Sequence, residues 1–347
     1  MKITKLLQIL FAFALLFNIS CSSDSSETAQ EMFYGNGILI ANEGNFGTPN
    51  ADVTYVTSNF SAKQDKIFSA NNNGENLGDV LQTIGFNGNG AYLLLNNSNK
   101  IQVVDRYTFK KAAEITEQLK SPRYMAFAKN YIYVTNDTYN GDKYVSVYNA
   151  NTLAFVKKIM FTNTVERIVE AGGNIFVQNA NYGFGNTITK INTTTNEIDG
   201  QPIALASGNI NKTISNNTSV YVITSGTTDS YIYQISSAGN IVKTTTLTGI
   251  ADATNLEIDG GKFYFSSANK IYAMDMTATT TPTAPIITAV DGGQYYTLYG
   301  FSVLNGRIYT SDVKNFTQDS EITVYTTSGS KIGSFTAGKG ANGFYLN

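Results

Sequence analysis

Ile132-Tyr-Val-Thr-Asn-Asp137 is an apolar, strand-like hexad that ends in small or polar residues, and the chain repeats it. The other copies are Ile38-Leu-Ile-Ala-Asn-Glu43, Tyr92-Leu-Leu-Leu-Asn-Asn97, Ile175-Phe-Val-Gln-Asn-Ala180, Val220-Tyr-Val-Ile-Thr-Ser225, Phe263-Tyr-Phe-Ser-Ser-Ala268 and Ile308-Tyr-Thr-Ser-Asp-Val313. Successive copies start 54, 40, 43, 45, 43 and 45 residues apart. That period is the length of one four-stranded propeller blade. The polar insert Asn71-Asn-Asn-Gly-Glu-Asn76 accounts for the long first interval. A two-domain β-sandwich is the alternative, but sandwiches do not repeat at one length seven times.

Working outward from each hexad, a second alternating strand follows, as in Lys100–Asp105, Tyr144–Asn149, Thr187–Asn192 and Lys270–Asp275. Most of these close on Asp or Asn, whose side chains bond the backbone two residues on and start a hairpin. Outer strands such as Phe155–Met160 and Ile241–Thr246 come next, and an inner segment such as Arg123–Phe127 or Glu166–Val169 precedes the hexad. The first hexad has no such segment before it. The C-terminal Gly340–Asn347 resembles Ser121–Phe127, which predicts that the last strand closes the first blade. The expected fold is all-β: a seven-bladed propeller over residues 34–347, its ring locked by the C-terminal strand.

Before the repeats lies a different kind of sequence. Lys2 and Lys5 precede the apolar run Leu6–Phe17, which is too short for a permanent span and fits a cleaved export signal over residues 1–20. Cys21 is the only cysteine, so it forms no internal disulfide. Residues 21–33 read as a tether, since their polar, Ser-rich start buries too little to offset ordering. The segment resembles a bacterial lipoprotein signal with Cys21 as the lipidation site, although Asn18 stands where such signals usually carry Leu. An ordinary secretory signal with an incidental cysteine is the alternative. The acidic Ser/Asp/Glu run resembles the tag that sends some lipoproteins to the outer face of the outer membrane, which implies a lipid-anchored, surface-exposed protein.

The chain of 347 residues has a net charge of −2 and no histidine. No basic surface for nucleic acid is indicated. Ser-His-Asp and Cys-His catalysis and the usual zinc sites are excluded. Carboxylate chemistry or an oxygen-liganded calcium site remains. Asp137-Thr-Tyr-Asn-Gly-Asp142 has oxygen donors, but a solvated hairpin turn is the simpler reading, and no metal or cofactor is expected.

In a propeller, the loops after each hexad and those entering each inner strand share one face. That face collects Glu43, Asn45, Phe46, Asp137, Tyr139, Asn181, Tyr182, Phe184, Asp312 and Phe316 after the hexads. Arg123, Tyr124, Arg167 and Tyr296 enter the inner strands. Aromatics and Arg around a concave mouth are the usual anchors of binding. Duller roles are also open. Arg123 and Arg167, taken at matching positions, pair with Asp137 or Glu166; Tyr124 and Phe344, taken at one repeat position, serve as core.

Tyr133-Val-Thr-Asn136 resembles the YVTN family of propellers. Ile38-Leu-Ile-Ala-Asn-Glu-Gly-Asn-Phe-Gly47, with the lipoprotein signal and the Asn-Gly-Phe-Tyr end, resembles surface lipoprotein propellers that partner outer-membrane cobalamin transporters. That resemblance implies a non-enzymatic protein that captures cobalamin or another corrinoid on one face and passes it to a transporter. A surface scaffold for protein or glycan, and a carboxylate-dependent hydrolase or lyase, are the alternatives.

Overall fold

The computed structural model describes residues 33–347 apart from Gln294. The expected signal and the lipidation site Cys21 lie outside the described residues. No helix among the described residues is long and apolar enough to cross a membrane.

Seven antiparallel sheets form the ring. Each hexad is the second strand of a blade, and it is buried along nearly its whole length, as in Gly37–Asn42 and Tyr131–Asp137. Blades pack face against face, so an inner strand has core on both sides. This is why the hexads read as continuous apolar runs instead of alternating ones. Outer strands such as Lys111–Ile115 are mostly exposed and carry little apolar signal.

Seven apolar clusters sit at the seven blade junctions among the described residues. The last unites Ile38, Ile40 and Val56 of blade 1 with Tyr309, Ile322 and Val324 of blade 7. The C-terminal strand Ala341–Leu346 pairs antiparallel with Gly37–Asn42 and supplies Phe344 to this cluster. The ring is therefore closed by main-chain pairing between its two ends, as expected.

The Asx hairpins form as read. Asp105 Oδ1 accepts from the amides of Tyr107 and Thr108, and Asn149 Oδ1 from those of Asn151 and Thr152. The insert of blade 1 is more than a polar loop. It begins with a short helix, Ile67–Asn71, whose Ile67 and Phe68 are buried. Asp52 accepts from the amides of Phe68 and Ser69 at the helix start.

Register corrects two alignments. Phe344 pairs with Ile40 and Met125 with Val134, each opposite the third hexad residue, so Phe344 matches Met125 and not Tyr124. Ile168 pairs with Val177 in the same way, so Arg167 matches Tyr124, and Arg123 matches Glu166. A bulge before this position adds a residue to the inner strand and hides the one-residue offset.

Candidate functional site

The inner strands surround a central channel, a cavity of about 560 Å³. The residue just before the one opposite the third hexad position is Gln82, Tyr124, Arg167, Lys212, Gly300 and Gly343 in blades 2, 3, 4, 5, 7 and 1. Long polar arms thus enter from blades 2 to 5, and glycines leave room on the side of blades 7 and 1. A Cβ at Gly343 would stand 2.7 Å from the Tyr345 hydroxyl.

Most charges in the channel are paired between neighbouring blades. Arg123 forks onto Glu166, 43 residues on, through two hydrogen bonds of 2.8 Å, and donates a third to Gln82. Burial opposes the Arg123 charge, but the Glu166 carboxylate outweighs it and raises the pKa of the guanidinium. Lys212 donates to Glu257, 45 residues on, at 2.7 Å. Burial pulls the Lys212 pKa down, Glu257 opposes this, and the nearby Arg167 charge adds to the lowering. Glu43 accepts from the Tyr299 hydroxyl at 2.9 Å and from Asn342 Nδ2 at 2.7 Å. Burial pushes its carboxyl up despite these donors. Asn342 lines the channel, and its Oδ1 is buried without a hydrogen-bond partner among the described residues.

Above the channel lies a mouth cavity of about 470 Å³. It shares Glu43, Gln82, Arg123 and Tyr299 with the channel and adds Asn45, Phe46, Tyr182 and Phe316. Phe46 is 80% exposed and Tyr182 82% exposed.

Two of these rings sit on strained backbone. Tyr182 (φ 51°) and Gly183 (φ 78°) form a two-residue hairpin turn between the paired Asn181 and Phe184. Positive φ at both positions is the type I′ pattern, which favours Asn-Gly and not an aromatic residue. Lys314, Asn315 and Phe316 have φ of 46°, 59° and 58°, a single left-handed turn. Such turns cost roughly 1–2 kcal/mol per non-Gly residue. Polar contacts hold this one. Asp312 accepts from the Lys314 amide at 3.0 Å and from its ammonium at 2.8 Å. Asn45 Nδ2 donates to the Phe316 carbonyl at 2.6 Å, across the junction of blades 1 and 7. Phe316 then packs edge-on against Tyr299 and Tyr296.

The structure thus gathers Glu43, Asn45, Phe46, Arg123, Tyr182 and Phe316 at one mouth, with Tyr124 and Arg167 in the channel below. Asp312 and Tyr296 support Phe316. Four others stand apart from both cavities. Asp137 clamps its own loop by accepting from Thr164 Oγ1 and from the Val165 amide at 3.1 Å. Tyr139 and Phe184 project outward, 89% and 76% exposed. Asn181 spends its Oδ1 on the Tyr182 amide. Gln82, Lys212, Glu257, Tyr299, Asn342 and Tyr345 escaped the sequence-based choice. Counting one repeat from Arg167 reaches Lys212, and a second reaches Glu257.

A single closed ring with an aromatic mouth over a charged channel defines a seven-bladed β-propeller with a ligand-sized cavity on one face. The sequence profile of a domain of unknown function, DUF5074, matches residues 36–345, and the chain belongs to that family. No curated protein matches. Among solved structures, the chain is similar to a quinonprotein alcohol dehydrogenase-like protein from Bacteroides thetaiotaomicron. That match has 14% identity and TM-score 0.67, covering 88% of this chain and 77% of the other. It is also similar to a functionally unknown protein from Desulfotomaculum acetoxidans, with 10% identity, TM-score 0.65, and 90% and 99% covered. A third likeness is apo AztD from Citrobacter koseri, with 10% identity, TM-score 0.58, and 89% and 96% covered. These likenesses concern the fold alone.

Proposed function

We propose that this protein binds a bulky, partly apolar small molecule over the mouth of the ring, with cobalamin or another corrinoid as the first candidate, and makes or breaks no bond in it. The observation that carries this is the pair Tyr182 and Phe316, two aromatic rings held at one cavity on left-handed backbone that disfavours them. Strain of this kind is retained where function requires it. A broad ligand would cover Phe46, Tyr182 and Phe316, while Arg123 and Gln82 at the cavity floor meet its polar rim. Arg123 is paired with Glu166, and Glu43 accepts from Tyr299 and Asn342, which suits recognition better than proton transfer.

The chain enters the ring at Tyr34, whose amide donates to the Tyr107 carbonyl on the face opposite the mouth. A lipid on Cys21 would tether the ring to a membrane and leave its mouth open to a ligand and to an outer-membrane transporter. Two measurements test these proposals. Cys21→Ala moves the protein from the membrane to the soluble fraction if the anchor is real, and an unchanged membrane fraction overturns it. Calorimetric titration of the purified protein with cobalamin gives micromolar or tighter binding that weakens about thirtyfold in Phe316→Ala, the loss on the order of 2 kcal/mol expected of a central anchor. No heat and no spectral shift at micromolar cobalamin removes the corrinoid.

A further inference from the structure

Among the described residues, one charged group in the channel has no hydrogen-bonding or ionic partner. Arg123 is matched by Glu166, Lys212 by Glu257, and Glu43 by Tyr299 and Asn342. The Arg167 guanidinium lines the same cavity and makes neither a hydrogen bond nor an ion pair among the described residues. Its contact is the ring of Tyr124, with Cζ 4.4 Å from the centroid. That contact orients the planar fork without neutralising it. An arginine cannot shed its proton, so its charge and five N–H donors stay directed at the cavity or its water.

A second cation stands beside it. Lys212, one blade on, uses one N–H on Glu257 and keeps two, and the Arg167 charge acts on its ammonium. The Tyr345 hydroxyl, which meets Thr83 Oγ1 at 3.2 Å, also feels Arg167. Two neighbouring cations with free donors and phenolic hydroxyls around them form a site for an oxyanion. The carboxylates of Glu166 and Glu257 are already bound to Arg123 and Lys212.

We propose that the channel holds an oxyanion subsite built on Arg167 and Lys212, which takes a phosphate or carboxylate group of a ligand whose body lies over the mouth. This goes beyond the mouth binding proposed above, which needs no anion. The shared floor residues Glu43, Gln82, Arg123 and Tyr299 place the two cavities in line, so one molecule spans both.

The test uses small anions alone on the full-length protein at constant ionic strength: inorganic phosphate, acetate, and chloride as reference. Phosphate or acetate is expected to raise the melting temperature above the chloride value and to bind calorimetrically. Phosphate alone identifies a phosphate arm, and acetate alone a carboxylate arm. Arg167→Gln should weaken that binding at least tenfold. Arg167→Lys, which keeps the charge and loses the fork, should weaken it less and serves as the readout if Arg167→Gln does not fold. Lys129→Gln, on the opposite face, should change nothing. If neither anion exceeds chloride, or if both Arg167 variants bind as well as the parent, the subsite does not exist. Cobalamin titration of the same variants is scored separately, so failure of the corrinoid leaves the anion result standing.

Discussion

Phe109 and Tyr182 are both aromatic residues in a blade hairpin, both with positive φ, 56° and 51°, yet one is wholly buried and the other 82% exposed. Phe109 lies on the face where the chain enters. Its ring packs edge-on against Tyr34 at 5.8 Å, and its amide donates to Asp105. Burial of a large ring offsets the strained backbone there. Tyr182 lies on the mouth face and has no comparable packing. The two faces invert each other more widely. The entry side buries rings such as Tyr34 and Tyr133 and leaves Lys129 and Lys262 at the surface. The mouth side buries Asp52, Glu166 and Lys212 and exposes Phe46 and Tyr182. One face is built for stability, and the other spends stability on a surface.

The largest expected effect breaks the ring itself. Deleting Asn342–Asn347 removes the strand paired with the first hexad and opens the junction of blades 1 and 7. Cooperative thermal unfolding should be lost, with aggregation through the bared strand edge. An unchanged melting transition would mean that the ring closes without this strand. Phe109→Ala comes next. Removing a fully buried ring costs about 3–5 kcal/mol, whereas Phe46→Ala on the mouth side should cost under about 0.5 kcal/mol. Equal costs by chemical denaturation would erase the contrast between the faces.

How much of this was legible depended on where each residue sits. The hexads stand out because a strand with core on both sides needs apolar residues at every position, so their period survives weak sequence similarity. The closing strand was legible because it repeats the inner-strand pattern. Phe46 and Phe184 both sit beside glycines in loops that follow hexads, and only Phe46 reaches the cavity. The channel was harder. Lys212 in Ile210-Asn-Lys-Thr-Ile214 reads as the outward side of an alternating strand, when in fact its outward side is the channel. The inner-strand bulge shifted Arg123 and Tyr124 by one residue against their counterparts, and a period of two turns such a slip into the wrong face. The left-handed turn at Lys314–Phe316 has no glycine to announce it.

Charge buried on the mouth side gives the third effect, a dependence on pH. Burial lifts the Asp52 carboxyl from an ordinary 3.8 to about 6, against the amides of Val53, Phe68 and Ser69. A raised folded pKa means that the native state binds more protons than the unfolded chain between about pH 4 and 6. Stability from this group is therefore present at low pH and is lost as pH rises through 6. A shift of about two units is worth at most about 3 kcal/mol. Asp52→Asn should flatten that part of the profile, and the difference between parent and variant isolates it from other carboxylates. Parallel profiles for the two proteins would show that Asp52 ionises normally.

The smallest effect on stability tests the contrast most directly. Tyr182 occupies the first central position of a type I′ turn, followed by Gly183. Asn is favoured there because its short polar side chain tolerates the left-handed region, whereas a bulky ring resists it. With the Tyr182 ring largely exposed, Tyr182→Asn removes little packing and relieves strain. The variant should be as stable as the parent or more stable, by up to about 1 kcal/mol, measured by chemical denaturation. Phe109→Asn in the entry-side hairpin relieves similar backbone strain but empties the core, and should destabilise by several kcal/mol. If Tyr182→Asn were destabilising as well, the mouth ring would belong to the packing of the fold, and its strain would need no ligand to explain it. A stabilised variant with weakened ligand binding would mean that Tyr182 stands where it does at the expense of the turn, for what it touches outside the chain.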